Sequence, residues 1–209
     1  MTFRRILPFA MAAACLASAL PAHAGAITDP AGDFIPTFTG ERTPDRDVLS
    51  LSATLGNGAF TFTSTLAGAA GSTPGTVYVF GINRGQGTAR FGSIAPGVLF
   101  DSVVVVTPGS ATVVRDLLAN TAVTLAPDTT LLNGNALQVV VPGSALPTTG
   151  FALGQYTVNL WPRSGLGNNN QISDFAPDNS NLGVSVPEPA SIALLGLAFA
   201  GLAVLRRNV

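Results

Sequence analysis

Leu49-Ser50-Leu51-Ser52-Ala53-Thr54-Leu55-Gly56-Asn57-Gly58-Ala59-Phe60-Thr61-Phe62-Thr63-Ser64-Thr65 is the stretch that decides the fold. Leu49, Leu51, Ala53 and Leu55 alternate with Ser50, Ser52 and Thr54, and beyond Gly56-Asn57-Gly58 the residues Phe60 and Phe62 alternate with Thr61, Thr63 and Thr65. A hydrophobic period of two puts one face on a core and the other toward water, which a helix of period 3.6 cannot do. The Asn-Gly pair suits the positive φ values of a tight two-residue turn. The stretch therefore predicts a half-buried antiparallel hairpin.

Working outward, Thr76 to Ile82, Val98 to Val106, Ala136 to Val141 and Tyr156 to Trp161 also read as strands, with shorter candidates at Ala111 to Arg115 and Thr121 to Leu125. Gly, Pro or Asn clusters separate them. One helix-like stretch falls at Val114 to Asn120, and Asp101 interrupts an otherwise apolar strand. No repeat of fixed period emerges, which disfavours a propeller or solenoid. The expected fold class is all-β, a single antiparallel β-sandwich of jelly-roll or Ig-like type.

The two ends carry a different pattern. Arg4 and Arg5, an apolar run from Ile6 to Leu20 and Ala22-His23-Ala24 have the charge, hydropathy and small-x-small ending of a secretory signal. Reading Cys15 as a lipid-attachment site fits less well, because Ala12-Ala13-Ala14 lacks the usual large aliphatic residue. At the other end an uncharged apolar run precedes Arg206-Arg207, as in a stop-transfer segment. The 16 residues between Pro189 and Arg206 would cover roughly 24 Å as a helix, marginal for a hydrocarbon core of about 30 Å. The expected organisation is a signal helix over 1–24, a β-sandwich domain over 25–182, a linker over 183–189 and a transmembrane helix over 190–209.

Loss of the first segment removes Cys15 and His23, the only thiol and imidazole, and the chain has no lysine. That excludes disulfides, Cys/His zinc sites and nucleophiles activated by a histidine or lysine base. With both signals removed, eleven acidic residues, Glu188 included, face six arginines (42, 46, 84, 90, 115 and 163), a net of −5. Such a surface lacks the basic stripe that nucleic acid requires.

Val186-Pro187-Glu188-Pro189-Ala190-Ser191, the apolar segment after it and Arg206-Arg207 together resemble the PEP-CTERM sorting signal. The resemblance implies an exported protein, held at the inner membrane as a precursor and processed near Pro-Glu-Pro by an exosortase. Its implied destination is the cell surface or medium, where exopolysaccharide is a candidate partner.

Asp29-Pro30-Ala31-Gly32-Asp33 sets two carboxylates four residues apart in a turn-rich segment, with Glu41, Asp45 and Asp47 close behind. Hard cations need several oxygen ligands from such loops, so Asp29, Asp33 and Asp47 are candidate calcium ligands. The alternative is Asx-turn bonding by Asp29 and Asp33, with Asp45 and Asp47 neutralising Arg42 and Arg46. The same opening, followed by Asp47-Val48-Leu49-Ser50-Leu51, resembles the first strands of carbohydrate-binding sandwiches of the DOMON and family-nine type. That resemblance implies a glycan-binding sandwich.

A second polar group lies late in the chain, where Trp161, Arg163, Asn169 and Asp174 are candidate ligand-binding residues. Trp161 could stack on a sugar while amides fix its orientation, or it could close the core while the asparagines adopt left-handed turns. Gly81-Ile82-Asn83-Arg84-Gly85-Gln86-Gly87 lacks the Lys-Ser/Thr ending of a phosphate loop and reads as a hairpin loop. The sequence thus favours a non-catalytic surface protein, structural or glycan-associating, that needs no cofactor unless calcium binds. The alternative is a secreted hydrolase of polysaccharide built on two carboxylates. An ice or mineral binder would need a flat threonine array, for which only Thr61, Thr63 and Thr65 show the spacing.

Overall fold

The computed structural model describes residues 25–187. The expected signal helix over 1–24 and transmembrane helix over 190–209 lie outside the described residues, as do Glu188, Pro189, Arg206 and Arg207. Among the described residues no helix is long and apolar enough to cross a membrane.

The strands are β1 (Ala26–Thr28), β2 (Val48–Gly56), β3 (Ala59–Leu66), β4 (Val77–Asn83), β5 (Thr88–Ala89), β6 (Leu99–Phe100), β7 (Ser102–Val106), β8 (Val113–Asp116), β9 (Thr121–Thr124), β10 (Thr130–Asn133), β11 (Ala136–Pro142), β12 (Thr157–Arg163) and β13 (Leu182–Gly183). A five-stranded sheet runs β1-β2-β3-β11-β10, a six-stranded sheet runs β13-β12-β4-β7-β8-β9, and β5 pairs with β6 alone. Every strand pairing is antiparallel. This is an all-β, sandwich-like fold.

The hairpin expected from alternation is β2-β3, with Leu55 opposite Phe60 and Ala53 opposite Phe62. Asn57 and Gly58 form its turn at φ 51° and 75°. One detail differs: the register shifts between Val48 and Ser50. Val48 rather than Leu49 is thereby fully buried, because a bulge changes which residues share a face. Phe60, Phe62, Leu137, Val139 and Val141 of the first sheet meet Tyr78, Phe80, Ile82, Val104, Val158 and Leu160 of the second in one core.

A second core covers the outer face of the six-stranded sheet. Val77, Val79, Val103 and Trp161 point away from the first sheet and are roofed by Phe91, Val98, Phe100, Ile172 and Phe175. Strand β4 is consequently buried at all seven positions, and its run Val77 to Asn83 carries little alternation.

Three expectations for elements change. Val114 to Asn120 is not helical: β8 ends at Asp116, whose Oδ1 accepts from the backbone of Leu118 and Ala119 at 2.9 Å each, and Asn120 sits at φ 53°. Val98 to Val106 splits into β6 and β7 at Asp101, which is buried and bonded to Arg84. The glycine-rich segment after β4 is a loop but not a hairpin, since β4 lies between β12 and β7.

Candidate functional site

Three separated segments converge at one rim of the sandwich. The first leaves β1, with Asp29 N–H bonded to Leu49 O at 2.9 Å, and turns through Gly32 at φ 81°. The second is Asp47, which follows a short 3-10 turn over Pro44–Arg46 and accepts the Gly32 N–H at 2.9 Å. The third returns from β12: Ile35 N–H bonds to Ser173 O at 2.8 Å, and Ser173 Oγ donates to Arg46 O at 2.8 Å. Asp174 then accepts from Val48 N–H at 2.8 Å and from Phe175 N–H at 2.7 Å.

Carboxylate oxygens of Asp29, Asp33, Asp174 and Asp178 thereby come within 4.8 Å of one another. Asp174 is 1% exposed and Asp47 5%, whereas Asp33 and Asp178 are exposed. Asp29 Oδ2 and Asp47 Oδ1 are buried without a hydrogen-bond partner. Arginine offers no relief, since both ion pairs found among the described residues belong to Arg84. Burial pushes the Asp29 carboxyl up to about 8, with further rises from Asp174, Asp33, Asp178 and Asp47. Burial also carries Asp174 to about 7, against the lowering effect of its backbone donors. Asp33 and Asp47 are raised too, burial first in each case.

Four carboxylates this close, one with a buried oxygen lacking a donor, repel one another unless a proton or a cation intervenes. Asp29, Asp33, Asp174 and Asp178 could serve as an oxygen-rich ligand set, which is what a hard cation such as calcium takes. Of the residues expected from the sequence, Asp29 and Asp33 belong to this group. Asp47 stands beside it, held by Gly32.

The expected pairing of Asp45 and Asp47 with Arg42 and Arg46 is not found: both ion pairs among the described residues belong to Arg84. Asp45 pairs with no arginine: burial raises its pKa, but hydrogen bonds from Thr43, Thr73 and Thr76 outweigh that and lower it. Arg46 bonds instead to Thr76 Oγ1, Glu41 O and Pro74 O.

The second expected group is not assembled as a ligand surface. Trp161 is 2% exposed and packs edge-on to Phe91 at 4.9 Å, so neither ring face is free to stack on a sugar. Arg163 holds its own loop through Gly165 O and Asn168 O. Asn169 opens a 3-10 turn over Asn169–Gln171 in which Asn168 Oδ1 caps Asn170 N–H at 3.0 Å. That cap, rather than left-handed asparagines, shapes the loop. Asp174 belongs to the acidic group. The threonine array also stops short: Thr61, Thr63 and Thr65 stand beside Val140, Gln138 and Ala136 on β11.

Asp178, and Asp174 as a partner of Asp29, were missed. A signal existed: Asp174-Phe175-Ala176-Pro177-Asp178 repeats the four-residue spacing and enclosed proline of Asp29-Pro30-Ala31-Gly32-Asp33.

Within the expected linker over 183–189, residues 183–185 are bonded to the sandwich. Gly183 lies in β13, Val184 N–H bonds to Tyr156 O at 2.9 Å, and Ser185 bonds to β2 on both its N–H and C=O sides. Comparison with curated proteins and with solved structures finds no match. A family model, the PEP-CTERM protein-sorting motif, matches residues 185–207. The chain therefore carries a PEP-CTERM sorting motif whose first residue, Ser185, is bonded to β2, and the motif implies an exported protein, transiently anchored in the membrane and processed by an exosortase.

Proposed function

We propose that this protein is a non-catalytic structural module of the cell surface or exopolymer matrix, closed by a calcium ion held between Asp29, Asp33, Asp174 and Asp178. The convergence of these four carboxylates within 4.8 Å carries the reading. The ion would tie the loop after β1 to the loop before β13, so the first and last parts of the domain are clamped together. Extracellular modules commonly bind calcium weakly, in the range of roughly 10⁻⁴ to 10⁻³ M.

Several observations support a structural rather than catalytic role. Asp174 is buried and bonded to the backbone N–H groups of Val48 and Phe175. A cavity of about 370 Å³ is lined by Gly109, Ser110, Ala111, Thr112, Ala126, Pro127 and Thr130, without a titratable side chain. Burial of Trp161 removes the sugar platform that favoured glycan stacking, so association with the matrix would rest on sorting and on the exposed polar surface.

The test is calcium titration of the exported protein after chelator treatment, followed by calorimetry and thermal unfolding. Heat of binding and a raised Tm are expected. Absence of both, with magnesium and calcium alike, would remove the clamp.

A further inference from the structure

The six-stranded sheet ends on β9, and the bonds beside that strand give the direction of its backbone groups. Leu117 N–H bonds to Asp101 O at 3.0 Å, and Leu125 N–H bonds to Thr112 O at 2.8 Å. Continuing the registers of β7-β8 and β8-β9 by one residue sets each of these pairs directly opposite. Hydrogen-bonded and non-hydrogen-bonded pairs alternate along an antiparallel ladder. Both bonds therefore give the same phase. Thr121 and Val123 turn their N–H and C=O groups toward Asp116 and Val114, while Ala122 and Thr124 turn theirs away from the sheet, where none of the turn and loop bonds takes them.

Nothing on β9 discourages another strand from using those groups. Edges are usually blunted by charge, proline or a bulge, whereas Thr121-Ala122-Val123-Thr124 carries no charge or proline, pairs with β8 without a register shift and is exposed at all four positions. Val123 stands opposite Val114, which is buried in the first core, so both side chains lie on the side facing the first sheet. Val123 is nevertheless 49% exposed, an apolar side chain that the first sheet leaves uncovered. The acidic rim is elsewhere. Asp174 and Asp178 lie between β12 and β13, and β13 is the opposite edge of the same sheet, five strand spacings or about 24 Å away.

We infer that β9 is a self-association edge, at which a second copy of this chain adds its own β9 antiparallel across a two-fold axis through Val123. The outward groups repeat symmetrically about that residue, which is what fits a second copy: Ala122 bonds to the partner's Thr124, and Thr124 to the partner's Ala122. Moving the axis to Ala122 would require Asn120 to be extended, but its φ is 53°. Moving it to Thr124 would require Ala126 O, which already accepts from Thr129 N–H at 3.1 Å and Thr129 Oγ1 at 2.6 Å. In the remaining register the two valines form a non-hydrogen-bonded pair with Cα atoms about 4.5 Å apart, and each covers the other's exposed side. Meeting at the edge far from the acidic rim lets two copies of an acidic chain associate without bringing those carboxylates together. Four residues a side is a small contact beside the roughly 1,200–2,000 Å² of a stable specific interface. The dimer is therefore weak and forms where copies are concentrated, as on the membrane where the sorting motif holds the precursor. The inference is independent of calcium.

The test places single cysteines in the exported protein, since the chain after Ala24 has none of its own. Two cysteines bridge only when their Cα atoms lie within about 7 Å. The register allows this at position 123 and denies it at 122, where the two copies stand about 8 Å apart. On mild oxidation Val123→Cys is expected to give at least about ten times more disulfide-linked dimer than Ala122→Cys. In equilibrium sedimentation the natural protein should show a concentration-dependent dimer. Thr124→Pro, which removes an outward N–H that β8 does not use, should weaken that dimer at least about tenfold while leaving circular dichroism and Tm unchanged. Equal cross-linking at 122 and 123, or a dimer undiminished by Thr124→Pro, overturns the proposal. So does a natural protein that stays monomeric up to about 1 mM. If Thr124→Pro does not fold, Val123→Lys takes its place: it sets two like charges directly opposite one another, and a dimer of unchanged strength would overturn the proposal.

Discussion

Arg84 and Asp101 form a fully buried ion pair, Nε to Oδ1 at 2.7 Å, with both side chains at 0% exposure. Asp101 also accepts from Gln86 N–H at 3.1 Å and Thr149 Oγ1 at 2.6 Å, while Arg84 reaches Asp116 at 2.9 Å and Pro147 O at 3.0 Å. The pair knots the glycine-rich loop after β4 to β7, β8 and the 147–151 segment. This is why a charge interrupts the apolar run from Val98 to Val106.

Removing one partner leaves the other charged and buried, a situation that costs about 3–5 kcal/mol. Arg84→Met is therefore expected to destabilise the fold by that amount in urea denaturation. The double variant Arg84→Met, Asp101→Leu should recover part of the loss, because no orphan charge remains. A single variant within about 0.5 kcal/mol of the natural protein would show that the knot carries no stability.

Asp116 gives this network a pH signature. The hydrogen bond from Arg84, and then those from Ala119 and Leu118, hold its carboxyl down at about 2 against an ordinary 3.8. A folded pKa below the unfolded one means stability that is complete above the unfolded value and is lost as pH falls through the folded value. Between pH 4 and 2 the natural protein should lose on the order of 2 kcal/mol from this group. Asp116→Asn should flatten urea midpoints over that window, and an unchanged slope would contradict the assignment.

Calcium should act through the acidic rim. Asp174→Asn or Asp33→Asn is expected to abolish or strongly reduce the calcium-dependent rise in Tm, whereas Asp128→Asn, on the exposed turn before β10, should leave it intact. For a ligand at 100 times its Kd the natural protein gains about 2.7 kcal/mol. A calcium response that survives loss of both Asp33 and Asp174 would place the ion elsewhere.

Gly81 lies beneath Trp161, where a Cβ would overlap the indole ring. Gly81→Ala should cost about 1–3 kcal/mol through overpacking and red-shift the Trp161 fluorescence as the second core loosens. Added oligosaccharide should leave that fluorescence unchanged in the natural protein. Quenching by sugar would mean that the ring is reachable after all.

Much of the sandwich was legible locally. The alternation from Leu49 to Thr65 and the Asn57-Gly58 turn specified the β2-β3 hairpin, because side-chain period and φ preference are properties of neighbouring residues. The bulge that exchanges Leu49 for Val48, and the helix-like stretch that became β8 and a turn, were decided by partners: Asp29 on Leu49 O, Arg84 on Asp116.

The sequence by itself determined a β-rich middle without thiol, imidazole or amine, lying between an export signature and a sorting motif, since these follow from composition and local pattern. Only the tertiary structure decided that Asp29 meets Asp174, that Trp161 is roofed by Phe91 and Phe175, and that Gly25 meets Ser185 on β2. Those meetings join residues far apart in the chain, and sheet order and loop paths, rather than nearest-neighbour preferences, bring such residues together.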